Sequence, residues 1–259
     1  MNWFISIGSM LPATLRPGAT KIVIEMIEAA GFKVAGLPIH GLARSERTFE
    51  HFEGPWIGMR PKNGHHVYER QPDLIHRLAF PAAEACWRWI ERQKAAGGHW
   101  SRHDVPEKLK LDENETIELH PGLGTGLQMH SLLEQLAEAN GRQDVCTLDT
   151  YHVRRDEWKL KGPWYNTIAP FVQTIHLQPD RKNPYGFQEE MSQTGATSHA
   201  LLAVRQLHNA GARAPIIVEV SAPDCVKPMY GWRIIADPVR LTQMIIDYAN
   251  AAREKIARG

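Results

Sequence analysis

Four short apolar segments in the second half of the chain constrain the fold most: "TIELHP" (116–121), "TLDTYH" (147–152), "TIHLQP" (174–179) and "IVEVS" (217–221). Helical apolar periodicity is interleaved with them at 128–141 and 198–211, and again at 239–257. Near-continuous apolar runs read as strands covered on both faces, which is the situation of a parallel sheet. Strands alternating with helices give βα units, and parallel crossovers of fixed hand leave two architectures, a closed (β/α)8 barrel or an open doubly wound sheet. A length of 259 residues favours the barrel, whose usual size is about 250 residues. The expectation is therefore an α/β fold, a (β/α)8 TIM barrel, spanning 1–259 as a single domain.

The first half follows the same rule less clearly. "WFISIG" (3–8) and "KVAGLPIH" (33–40) read as strands, and 19–31 as the helix between them, stopped by Gly31. Residues 81–98 read as a helix with Pro81 at its first position. Eight strands are reached only by accepting weak ones at 55–59 and near 99–102, so the early half is expected to be irregular or shortened.

Composition narrows the function classes. Thirty Lys and Arg stand against 29 Asp and Glu, a net charge of +1, which gives no electrostatic ground for a nucleic-acid partner. No apolar run approaches the ~20 residues of a membrane span, and the N-terminal stretch lacks a signal-peptide pattern. Three widely spaced cysteines, Cys86, Cys146 and Cys225, make neither a disulfide framework nor a zinc-knuckle spacing. A reducing cytoplasm is the simplest location. Neither a nucleic acid nor a membrane is expected as a partner; a homo-oligomer is compatible with the sequence.

Each clear strand ends in a metal-ligating residue: Glu118, Asp149, His176 and Glu219. In a βα barrel the C-terminal strand ends converge on one face, where sites are built. Any one of these residues alone reads as a polar strand terminus. Three carboxylates buried in one region are costly without a compensating cation. An oxygen-rich set with one imidazole suits one divalent ion, Mn²⁺, Co²⁺ or Mg²⁺, with Zn²⁺ also admissible.

These motifs resemble the xylose-isomerase-like TIM-barrel superfamily, which includes tagatose/psicose 3-epimerases, inosose dehydratase and endonuclease IV. The resemblance covers roughly 115–225. In the epimerase branch a Glu, an Asp, a His and a Glu on the last four strands hold one divalent metal, and the four residues here match in type, order and approximate spacing. "DTYH" is similar to the family's Asp-Thr-x-His, which implies that His152 lies beside the substrate. "HLQPDRKNPYG" is similar to the segment carrying a substrate-binding Arg, which implies that role for Arg181. Gln178 stands where many relatives carry an acid. His40, at an early strand end, is a further candidate for the pocket. Glu118 and Glu219 are the candidate proton-transfer pair.

The implied activity is a metal-dependent isomerase or epimerase of a small polyhydroxy carbonyl compound, working through proton abstraction and an enediolate. A lyase or dehydratase begins with the same abstraction and is the alternative; a non-catalytic barrel subunit is another. An endonuclease IV-like enzyme is disfavoured, because 177–215 holds no Asp-x-His pair and the charge is nearly neutral. The glycines of "HPGLGTG" (120–126) shape a strand-to-helix turn, since G-x-G-x-G mid-chain is not the dinucleotide fingerprint.

Overall fold

The computed structural model describes residues 2–6, 19–35, 100–102, 105–124, 126–150, 152, 163–178, 199–219 and 237–258. The strands are β1 (Trp3–Ser6), β2 (Lys33–Ala35), β3 (Trp100–Arg102), β4 (Glu115–Leu119), β5 (Cys146–Asp149), β6 (Val172–Leu177) and β7 (Ile216–Val218). The α-helices are α1 (Ala19–Ala29), α2 (Gly126–Asn140), α3 (Pro163–Ile168), α4 (His199–Asn209) and α5 (Pro238–Ala257). The strands form one sheet in the order β2-β1-β7-β6-β5-β4-β3, and every pair is parallel.

That order decides the architecture. In an open doubly wound sheet the order reverses at a switch point between two halves. Here the first strand pairs with the last described one, Trp3 opposite Ile216 and Ile5 opposite Val218, and the rest follow in sequence around the ring. This is the cyclic order of a (β/α)8 barrel. The two ends of the order, β2 and β3, are separated in sequence by 36–99, which lie outside the described residues, as do the expected strand at 55–59 and helix at 81–98.

The weak expectation near 99–102 is met by β3, a strand parallel to β4 with Trp100 opposite Glu115. Apart from 100–102 and the two segments at the start of the chain, most of the early half lies outside the described residues. Helix α3 has no counterpart in the sequence pattern, because six residues are too few to show a helical period.

Period-two alternation sorts each strand into two faces. One set of strand residues, among them Ile5, Val34, Ile117, Leu119, Leu148, Ile175, Leu177, Ile216 and Val218, joins the main core. Helix α2 adds Met129, Leu133 and Leu136 to that core, and α5 adds Leu241, Ile245 and Ile246. The opposite set is different in character. Phe4, Ala35 and Ile217 form a separate apolar cluster. On β4 to β6 the same phase holds buried Thr116, Thr147 and Thr174, with a 2.7 Å hydrogen bond between the hydroxyls of Thr116 and Thr147. Two residues further along each strand stand Glu118, Asp149 and His176. The alternation that packs isoleucine and leucine against helices therefore turns the ligating side chains to the other face.

Helix α5 starts where the sequence allows. Asp237 accepts hydrogen bonds from the backbone N–H groups of Val239 and Arg240, both at 3.1 Å, with Pro238 at the first helical position. Among the described residues no helix is long and apolar enough to cross a membrane.

Leu133 is fully buried in α2. Leu133→Ala is expected to cost about 2–5 kcal/mol through lost transfer energy and a residual cavity. Urea unfolding monitored by circular dichroism measures it; a loss below about 1 kcal/mol would mean that α2 does not pack on the sheet as described.

Candidate metal centre

Glu118, Asp149 and His176 are buried, and each offers a ligand atom within 4.8 Å of the others. Glu219, one residue past β7 and at the rim, joins them, with Oε2 at 3.0 Å from His176 Nδ1. Glu118 Oε2 lies 3.7 Å from the same nitrogen. His152 closes the other side, its Nε2 at 3.5 Å from Glu118 Oε1 and 3.7 Å from Asp149 Oδ2. Five residues expected at one site from the sequence are thus brought together. His40 and Arg181 lie outside the described residues.

Backbone bonds beyond the strand ends hold this constellation. The Thr150 N–H donates to the His176 carbonyl at 2.9 Å, and the Glu219 N–H donates to the Leu177 carbonyl at 3.0 Å. The Thr150 hydroxyl accepts from the Gln178 N–H at 2.9 Å and donates to the Gln178 carbonyl at 3.3 Å. The tips of β5, β6 and β7 are tied together where their side chains meet.

The electrostatics are those of crowded like charges. Burial, and then the neighbouring Glu118 carboxylate, lift Asp149 from its ordinary 3.8 to about 7; Glu219 adds to this, while His176 and His152 oppose it. For His176 burial alone pulls downward. The nearby Glu219, with Glu118 and Asp149, outweighs it and lifts the imidazole from 6.5 to about 9.

A divalent cation fits these residues. Although His176 Nδ1 is close to Glu219, neither of its ring nitrogens has a well-aligned hydrogen bond among the described residues. A buried nitrogen in that condition is costly. A cation would take its lone pair and offset the repulsion among the carboxylates. The donor set, carboxylate oxygens with one imidazole nitrogen, is of a kind that can hold a metal ion.

Two residues at the site were not singled out for it by sequence reasoning. Gln178 stands where the sequence resemblance led one to expect an acid, yet its amide Nε2 donates to Asp149 Oδ2 at 2.9 Å. This fixes the carboxylate without adding a charge to the cluster. Partners that orient a ligand typically matter by 10- to 100-fold in metal affinity. Gln178→Leu is expected to weaken metal binding by about that factor, read by isothermal titration calorimetry with Mn²⁺; unchanged affinity would remove Gln178 from the site. The second is His120, whose Nδ1 accepts from the Gly122 N–H at 3.1 Å and whose ring centroid lies 6.1 Å from that of His152. Its signal was the period-two phase that puts it on the Glu118 face.

No family model matches the chain, and no curated protein matches it. Among solved structures, one described as a D-tagatose 3-epimerase-like protein aligns over 99% of this chain and 100% of its own, with 11% identity and a TM-score of 0.37. A superposition that loose supports neither fold nor chemistry. The fold rests on the strand order and the site on its distances.

Proposed function

We propose that this chain is a divalent-metal-dependent isomerase or epimerase of a small sugar or related polyhydroxy carbonyl compound. The observation that carries the proposal is the buried Glu118, Asp149 and His176 group, with ligand atoms within 4.8 Å of one another and Glu219 beside it.

A bound divalent cation supplies Lewis acidity there, polarising a carbonyl and making the adjacent carbon more acidic. The protein's own groups do the rest. Glu118 and Glu219 approach His176 from different strands, β4 and the end of β7. One takes the proton from the carbon next to the carbonyl. The other returns a proton to the resulting planar enediolate, on the opposite face for an epimerase or at the neighbouring carbon for an isomerase. His176 and Asp149 would hold the cation with them. His152, at the edge of the carboxylates, donates to a substrate oxygen, and Arg181 is assigned the same task on the resemblance alone. Burial of Glu118, Asp149 and His176 limits competing water at these three strand ends.

The test is metal analysis of the purified protein, followed by incubation in heavy water with a panel of ketoses and inososes. Carbon-bound deuterium next to the carbonyl, dependent on the metal, is the expected result. Metal bound without exchange into any of them counts against the proposal and favours a non-catalytic barrel. Exchange accompanied by loss of water assigns the lyase alternative.

A further inference from the structure

We propose that a cleft between α4 and α5, at the end of the barrel away from the metal centre, binds a phosphate group, free or carried by a small organic molecule. It stands independently of the proposed function.

The cleft has a volume of about 320 Å³, and its walls include Trp3, Arg205, His208, Asn209, Arg253 and Ile256. Trp3 opens β1, and the other five stand towards the C-terminal ends of α4 and α5. Glu118, Asp149 and His176 stand towards the other ends of their strands. An anion in the cleft is therefore a stabilising ligand of the fold and not a reactant at the metal centre.

Helical spacing builds two facing walls. Arg205, His208 and Asn209 fall at i, i+3 and i+4 on one face of α4, and Arg253 and Ile256 at i and i+3 on one face of α5. The lining holds two guanidinium groups and no carboxylate. Arg205 is half-buried, and its guanidinium has no ion pair among the described residues. Arg253 is held in place, its guanidinium carbon 4.7 Å from the centre of the Phe32 ring and one N–H donating to Asn250 Oδ1 at 2.9 Å. Neither contact neutralises its charge. The acid next to Arg253 in sequence, Glu254, is exposed and pairs with Arg258 at 3.0 Å. Two cations thus share one cleft without a counter-ion among its walls. The carbonyl groups that end α4 are already occupied, those of Gln206, Leu207 and His208 accepting from the N–H groups of Ala210, Ala212 and Gly211.

The donor supply selects the anion. A guanidinium presents five N–H donors in a fixed fork that matches phosphate and carboxylate oxygens. Two such forks, with the Asn209 amide and the one N–H of a neutral His208 ring, exceed what the two oxygens of a single carboxylate can accept. A tetrahedral phosphate accepts them from several directions. Trp3 and Ile256 supply an apolar part of the lining against which a short carbon chain packs. The volume sits at the lower end of ligand clefts, roughly 300–1,000 Å³, which suits a small monoester and not a dinucleotide.

Isothermal titration calorimetry of the full chain as purified tests the site. The titrants are inorganic phosphate and glycerol 3-phosphate, at an ionic strength matched with sodium chloride, and acetate is the carboxylate comparison. Saturable binding of phosphate is expected, with a higher melting temperature at saturation. Arg205→Met should raise Kd about 10- to 100-fold, the usual effect of losing a hydrogen bond to a charged group. Arg205→Lys keeps the charge without the fork and should recover part of the loss. Arg253→Met should lose affinity similarly, and its melting temperature without ligand reads the separate cost of leaving Phe32. Tighter binding of the ester assigns an organic phosphate and equal binding assigns the free ion; either supports the site. No saturable binding to the wild type, or acetate bound as tightly as phosphate, overturns the proposal. So does unchanged affinity in both methionine variants, because the anion then sits elsewhere, the metal centre included. Should Arg253→Met fail to fold, the two Arg205 variants decide, and equal affinity in Arg205→Met and wild type overturns the site.

Discussion

Glu118→Gln and Glu219→Gln are each expected to lower turnover at saturating metal by at least ~10²-fold and up to ~10⁴-fold, the usual contribution of a positioned acid or base. The amide has nearly the shape of the carboxylate but cannot accept a proton. Both glutamates also face His176 Nδ1, at 3.7 and 3.0 Å, so some loss of metal affinity is expected with each. Separating the two effects requires metal content measured on the same samples. Asp149→Asn supplies the control, since Asp149 is assigned to holding the cation and not to proton transfer. Its activity should return as metal is raised, whereas that of the glutamate variants should not. His152→Ala should weaken substrate binding with metal content intact. Full activity with carbon-bound exchange in either glutamate variant would rule out the pair; turnover with no exchange at all would point to a hydride shift or hydrolysis on the same scaffold.

Much of this site was legible because two simple periodicities coincide. The outward phase of β4, β5 and β6 had to be apolar to pack on helices, so Ile117, Leu119, Leu148, Ile175 and Leu177 identified the strands. The same alternation then fixed Glu118, Asp149 and His176 on the other face, and parallel βα connectivity fixed that face at one end of the barrel. Strand order followed from connectivity as well, because first-to-last pairing is what closes a ring of parallel strands.

Other features were hidden for physical reasons. β3 is three residues long, and Ser101 and Arg102 carry no apolar signal, so the sequence offered it only as a weak strand and its pairing with β4 establishes it. α3 is shorter than two turns. Gln178 looked like the loss of an interaction because an amide in place of an acid changes charge; only geometry shows that its N–H does the orienting. His120 was obscured by the glycines around it, which are explained equally well as turn formers until its ring is seen 6.1 Å from that of His152. Arg181 belongs to no apolar period in the sequence, and for it only the resemblance spoke.

Metal is expected to raise the melting temperature by about 5–10 °C at a concentration about 100-fold over its Kd at pH 8, and at that fixed concentration the increment should grow as pH rises from about 6 to 9. The sign follows from the two shifted groups. Without metal, the folded state holds the Asp149 proton up to about 7 against an ordinary 3.8. It holds the His176 proton up to about 9 against 6.5. Between each pair of values the folded protein binds more protons than the unfolded chain, so stability falls as pH rises through them. The stabilisation linked to His176 is complete below 6.5 and gone above about 9; for Asp149 the corresponding limits are 3.8 and about 7. Chelated protein should therefore melt at a lower temperature at pH 9 than at pH 6. A cation competes with those same protons, so its affinity moves the opposite way, strengthening until both groups are deprotonated. Differential scanning fluorimetry of chelated and Mn²⁺-loaded samples across that range reads both trends at once. His176→Ala should remove most of the metal response and flatten the descent of the chelated curve between pH 6.5 and 9. If Mn²⁺, Co²⁺, Mg²⁺ and Zn²⁺ all leave the melting temperature unchanged at pH 8, the buried carboxylates and imidazole share protons among themselves and hold no cation.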